Sequence, residues 1–237
     1  SSTLVRKPET VLKQVFGYSE FRDGQKAVID AAINGQDSLV LLPTCGGKSV
    51  CYQIPALVLE GVTIVISPLI SLMQDQVTQL QALGVKAAYV NNSLAREEQQ
   101  LVYQQLHQGQ IKLLYVAPEK VLQREFLERL SHLNVSLFAI DEAHCVSEWG
   151  HDFRPAYREI DLLREVLPEV TFAAFTATAT QKVALDICEQ LQLKDPQIHR
   201  SSFERKNLLY EVIKTEDKYH RLTKLVHKLP FFYLHYI

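Results

Sequence analysis

Long apolar runs are absent from this chain of 237 residues. None reaches the roughly 18 residues that a membrane-spanning helix needs, so a membrane protein of the helical kind is not expected. The opening Ser1-Ser2-Thr3-Leu4-Val5-Arg6-Lys7 lacks the apolar centre of a secretion signal. The expected location is cytoplasmic, with no membrane partner. Excess charge is also missing: the formal net charge is -2. That excludes a protein that coats nucleic acid by charge alone, but not one that touches a few phosphates. The four cysteines, Cys45, Cys51, Cys145 and Cys188, form no CxxC pair, which argues against a structural zinc site and for reduced thiols. There is no internal repeat and no low-complexity tract. With 47% hydrophobic residues, the chain has enough to bury the core of one α/β domain with an appendage.

Short apolar runs alternate with amphipathic stretches. Asp37 to Leu42, Val62 to Ser67, Lys112 to Ala117, Val135 to Ile140 and Thr171 to Thr176 read as strands. They are almost continuously apolar, as parallel strands covered on both faces are. Leu69–Leu83, Ala95–His107, Pro155–Val166 and Gln181–Leu191 read as helices between them. The alternation predicts a doubly wound, mainly parallel sheet with helices on both faces, and ligands at the carboxyl ends of its strands. From about Ser201 the pattern changes. Leu208 to Ile213 reads as a strand and Thr215 to Lys228 as a helix, before an ending, Phe231 to Ile237, unlike an ordinary domain boundary.

Five stretches carry chemistry. In Leu42-Pro43-Thr44-Cys45-Gly46-Gly47-Lys48-Ser49, small residues let backbone N–H groups face phosphates, a lysine reaches the outer phosphates and a hydroxyl meets Mg²⁺. The spacing departs from the strict phosphate-loop form because Leu42 stands where its first glycine would be. A glycine-rich turn with an ordinary lysine is the plain alternative. In Ser136 to His144 an apolar strand ends in Asp141 and Glu142. The first suits Mg²⁺ and the second an attacking water; a solvated acidic turn is the alternative. Phe175-Thr176-Ala177-Thr178-Ala179-Thr180 places small hydroxyl residues where they could relay phosphate state, or simply cap a helix. Cys145 to Pro155 holds the only tryptophan, Trp149, with His151, Phe153 and Arg154. Aromatic and basic residues so mixed form stacking platforms for single-stranded bases, or else pack the loop onto the domain. Upstream, in Phe16 to Gln25, the Gln25 amide matches the edge of adenine and Tyr18 can stack on it; a helix–turn–helix corner is the alternative.

In this order the stretches resemble the RecQ family of superfamily-two DEAH-box DNA helicases. The resemblance runs from about Val11 to Tyr210 and includes Cys51 to Leu57, Ser67 to Gln76 and Leu113 to Glu119. Cys145 to Tyr157 is its most specific part. It implies a RecA-like domain over 1–204, with an adenine-recognition segment at 9–35, and the start of a second RecA-like domain over 205–237. It implies ATP and Mg²⁺ as cofactors and DNA, single-stranded and at duplex junctions, as partner, unwound in the 3′-to-5′ direction during recombination and repair. Tyr18, Arg22 and Gln25 would contact adenine. Thr44, Gly46, Gly47, Lys48 and Ser49 would hold phosphate, with Ser49 and Asp141 on Mg²⁺. Lys48, Asp141, Glu142 and His144 would be catalytic. Ser147, Trp149, His151, Phe153 and Arg154 would meet DNA and couple it to ATP turnover.

The sequence departs from the family at Cys45, where TGGGKS has glycine, and at Glu148, Ala156 and Lys206, where Gln, Glu and Pro are usual. A Cβ at 45 crowds the phosphate approach. The arginine finger of a second RecA-like domain has no counterpart, since no GRxGRDG-like stretch occurs. The family's zinc-binding and winged-helix regions have none either. A nucleotide- or DNA-binding module without catalysis is therefore a rival reading, and a small-molecule P-loop kinase a more distant one.

Overall fold

The computed structural model describes residues 6–42, 47–177, 179–200 and the strand 233–236. Cys45 and Lys206, the expected strand over 208–213 and the expected helix over 215–228 lie outside the described residues. So do two of the expected phosphate ligands, Thr44 and Gly46.

Eight strands form one sheet, β1 (Ser38–Leu41), β2 (Val62–Ile66), β3 (Ala87–Val90), β4 (Leu113–Val116), β5 (Val135–Ile140), β6 (Thr171–Thr176), β7 (Gln197–Arg200) and β8 (Tyr233–Tyr236). Their order is β3-β4-β2-β5-β6-β1-β7-β8, and every pairing is parallel. Alternate residues of the central strands feed two cores. Leu39, Ile64, Leu114, Phe138 and Phe172 face one, and Val40, Val65, Tyr115, Ala139 and Phe175 face the other. A sheet with two buried faces needs apolar residues at every strand position, and that is why these runs do not alternate with polar residues.

Two helices precede β1, α1 (Pro8–Gln14) and α2 (Gln25–Ile33). After β1 come α3 (Lys48–Val58), α4 (Ile70–Ala82), α5 (Arg96–His107), α6 (Pro118–Val121), α7 (Arg124–Leu130), α8 (Leu162–Val166) and α9 (Gln181–Gln190). Residues from α2, α3 and α4 cover one face of the sheet, and residues from α5, α7, α8 and α9 the other. α1 packs outside α2 and α3 through Val11, Leu12, Ile29, Val50 and Ile54. Pro8 opens α1, where a missing N–H costs nothing. Thr180 caps α9 by accepting the Val183 N–H at 3.2 Å.

The five expected strands are all present, and those over 135–140 and 171–176 have the expected bounds. The single helix expected over Pro155–Val166 is two pieces, a 3₁₀ turn Pro155–Glu159 and α8. No helix among the described residues is long and apolar enough to cross a membrane.

Candidate nucleotide and nucleic-acid site

The strand order β5-β6-β1 brings three carboxyl ends side by side. β1 leads toward Gly47 and α3, β5 ends just before Asp141, and β6 ends at Thr176 between them. The ladder runs on past β1 and β5: the Leu42 N–H donates to the Thr176 carbonyl at 3.1 Å and the Asp141 N–H to the Ile66 carbonyl at 2.8 Å.

At this junction Lys48, the first residue of α3, inserts its ammonium into the acidic pair. Nζ lies 2.8 Å from Asp141 Oδ1 and 3.3 Å from Glu142 Oε1. Asp141 is 2% exposed and Lys48 12%. Burial opposes charge on Lys48, but the two carboxylates outweigh it and its pKa is raised. Burial also raises Asp141, against the pull of Lys48. A buried carboxylate stays charged only with a cation beside it, and the lysine is the one in place.

Glu142 occupies the left-handed region, with φ 52° and ψ 44°. For a residue with a Cβ this costs on the order of 1–3 kcal/mol. Its N–H is held by Asp141 Oδ1 at 3.0 Å. The turn aims the carboxylate back over the strand end, toward Lys48 and toward His144 Nε2 at 3.5 Å. The His144 ring is anchored on its other side, Nδ1 lying 2.8 Å from Thr176 Oγ1. Burial lowers its pKa, so the ring is neutral at pH 7. The ends of β5 and β6 are thus joined through one imidazole.

The upstream segment meets this junction at Gly47. Gln25 is buried; its Oε1 accepts the Arg22 N–H at 2.8 Å and its Nε2 donates to the Gly47 carbonyl at 3.0 Å. Gly47 has φ 67°, and a Cβ there would lie 2.7 Å from Gln25 Nε2 and 3.8 Å from Arg22 Nη1. The positive φ calls for glycine, and a Cβ would also push the Gln25 amide aside. Tyr18 is 54% exposed, with its ring open to a stacking partner.

The loop after the acidic pair is closed on itself. The Arg154 N–H donates to the Cys145 carbonyl at 2.9 Å. The Tyr157 hydroxyl, fully buried, donates to the Asp141 carbonyl at 2.9 Å. A Cβ at Gly150 would lie 3.0 Å from the His144 carbonyl oxygen. Ser147, expected among the DNA-facing residues, is fully buried, and its hydroxyl accepts the Trp149 N–H at 3.2 Å. It shapes the turn that lifts Trp149 outward to 63% exposure. Lys182 of α9 lies over that indole, 3.4 Å from the ring centre. Arg158 lies over Phe153 at 5.5 Å and also meets the Glu148 carboxylate at 3.5 Å. His151 stacks on His144, ring centres 4.7 Å apart. His144, Cys145 and Asp152 bring potential metal ligands within 4.8 Å. Their partners are other groups of the protein, however: Thr176 on His144, and Arg154 3.4 Å from the Asp152 oxygen that Cys145 faces.

The chain matches the DEAD/DEAH box helicase family over residues 22–187. It belongs to that family. Among curated proteins, it is 50% identical over 226 residues to the ATP-dependent DNA helicase RecQ of Haemophilus influenzae, covering 94% of this chain and 36% of that one. The RecQ of Bacillus subtilis is 46% identical over 220 residues, 91% of this chain and 37% of that one. The chain thus spans about a third of the length of these relatives. Among solved structures, the DUF1998 helicase MrfA bound to DNA aligns with a TM-score of 0.66 at 16% identity, over 85% of this chain and 28% of that one. A hypothetical ATP-dependent RNA helicase from Sulfolobus tokodaii aligns with 0.58 at 17%, over 93% and 71%. These two likenesses carry the fold, the RecA-like sheet.

Several stretches of this DEAD/DEAH domain that look like signatures in sequence turn out to be one buried network. The Tyr52 hydroxyl donates to Gln76 Oε1 at 2.9 Å, and Gln53 Nε2 donates to the Tyr115 hydroxyl at 3.1 Å. The Tyr52 ring packs edge-on against Tyr115 and Phe175. These residues brace α3 against α4 and the sheet. Nothing in their spacing distinguished bracing from chemistry.

Proposed function

We propose that this chain is the ATP-binding first RecA-like half of a RecQ-type, 3′-to-5′ DNA helicase acting in recombination and repair. The observation that carries the reading is the seat of Lys48 between Asp141 and Glu142 at adjoining strand ends. The lysine holds the position of an exchangeable cation. When a nucleotide enters, Lys48 turns to its outer phosphates. Asp141, buried and in need of a cation, and Ser49 on the first turn of α3 are hard oxygen donors that fit Mg²⁺. The metal would neutralise charge on the phosphates. Glu142 orients the attacking water, and His144 reports its state to Thr176. Tyr18, Arg22 and Gln25 flank the adenine, and Gly47 with Thr44 and Gly46 the phosphates. Trp149, His151, Phe153 and Arg154 contact single-stranded DNA, with Ser147 shaping their loop.

An arginine finger worth orders of magnitude in rate belongs to a second RecA-like domain. Binding without strand separation is therefore expected of these 237 residues alone. The test is calorimetric titration of Mg-ATP into the folded chain, with Lys48→Ala as control. Micromolar binding that the control lacks supports the half-motor. No binding by a chain that circular dichroism shows to be folded overturns it in favour of a DNA-binding module. Strand separation by the purified chain would remove the need for a second domain.

A further inference from the structure

Trp149 is the most exposed large hydrophobic side chain among the described residues, yet one of its faces is covered. Lys182 Nζ stands 3.4 Å from the ring centre, a separation at which an ammonium is held by the aromatic quadrupole. The two residues come from different elements. Trp149 belongs to the loop after the acidic pair, and Lys182 to the first turn of α9. The start of α9 is fixed by Thr180, at the end of the segment that begins with Thr176. The nearby Glu148 carboxylate is turned to Arg158 instead. Lys182 therefore has the indole face as its partner, and that face is the surface a nucleobase would need.

We propose that Lys182 is a second single-strand contact, exchanged with Trp149 when DNA binds. In the DNA-free chain the ammonium rests on the indole. A single-stranded segment replaces that pair with two others: a base stacks on Trp149 and the neighbouring phosphate takes Lys182. Base stacking and phosphate pairing are the two contacts single-strand grooves combine, and here one pre-formed contact keeps both partners apposed. This exchange rests on reading the loop as a single-strand contact. It deepens that reading by adding a residue outside the loop, on the helix that follows β6.

Because the chain has one tryptophan, its emission reports this site alone. The experiment compares the unaltered chain, Lys182→Ala and Lys182→Arg, each checked for folding by circular dichroism. Acrylamide quenching is measured without DNA, and oligo(dT) binding is followed by Trp149 emission across a salt series. Lys182→Ala is expected to be quenched more readily without DNA, since a ring face is uncovered. Its log–log salt dependence should be shallower by about 0.7, the share of one phosphate on a single strand. Lys182→Arg should restore both. A salt slope in Lys182→Ala equal to that of the unaltered chain overturns the exchange, as does unchanged quenching. If the unaltered chain's own emission ignores oligo(dT), the single-strand reading falls together with the exchange. A response in the unaltered chain that Lys182→Ala fully retains removes only the exchange.

Discussion

The two ends of the sheet each bury an ion pair, and the pairs are built differently. At the amino end, Asp37 precedes β1. Its carboxylate meets Arg164 of α8 and accepts the Phe172 N–H at 2.9 Å and the Lys194 N–H at 2.7 Å. Arg164 also lies over the Phe172 ring and donates to the Val170 carbonyl at 3.2 Å. One carboxylate thereby ties β1, β6, α8 and the approach to β7 together. At the carboxyl end, Asp141 has one backbone donor, the Glu142 N–H, and otherwise the ammonium of Lys48. A flexible lysine shared by two carboxylates leaves readily; a guanidinium locked among backbone groups does not. The difference separates an ion pair tied into the backbone of the fold from one whose cation can be exchanged, as the proposed nucleotide site requires. Both would look alike in a count of buried charges.

The sharpest way to break this comparison is to delete one member of each ion pair in turn. Asp37→Ala strands the buried Arg164 and should lower stability by about 3–5 kcal/mol, read from urea unfolding. Lys48→Ala should abolish Mg-ATP binding, yet move the unfolding midpoint far less, since Asp141 can take up a proton once the lysine is gone. Equal destabilisation by the two would erase the distinction. Gly47→Ala should cost roughly 1–3 kcal/mol from its left-handed backbone alone. It should weaken nucleotide binding as well, because the Cβ displaces Gln25. The smallest expected effect is pH dependence at the carboxyl end. An unfolded imidazole titrates near 6.5, and burial lowers His144 below that. Unfolding then takes up a proton, so stability is full above pH 6.5 and declines as pH falls toward the folded value. His144→Gln should flatten that limb of a stability–pH curve, while Asp37→Ala should leave its shape intact.

The strands at the centre were legible because burial on both faces demands apolar residues in sequence, as in Val135–Ile140. β7, with Gln197 and Arg200 at its ends and a buried His199 within it, carries no such run and went unread. The break in Pro155–Val166 was equally silent: its first piece is anchored by the Tyr157 hydroxyl on Asp141, a contact made by the fold. Lys48, Asp141 and Glu142 were readable because strand ends and glycine turns mark themselves in sequence, whereas His144 entered only through the family resemblance. Lys182 was not, since its partner Trp149 lies 33 residues away in the chain and only the β5–β6 adjacency joins them. The same limit hid Asp37 and Arg164, two ordinary charges until the sheet order places one beside the other.

Glu142 is held in a conformation that glycine or asparagine adopts with less strain. Directed evolution for heat resistance alone would therefore reward replacing it, and would discard the carboxylate while leaving the strand, the turn and the neighbouring lysine in place. Screening for thermal tolerance at this position would, on the proposed reading of Glu142, select a more stable chain that has lost its water-orienting group. Variants that regain stability elsewhere while keeping glutamate at 142 are the ones worth carrying into activity measurements.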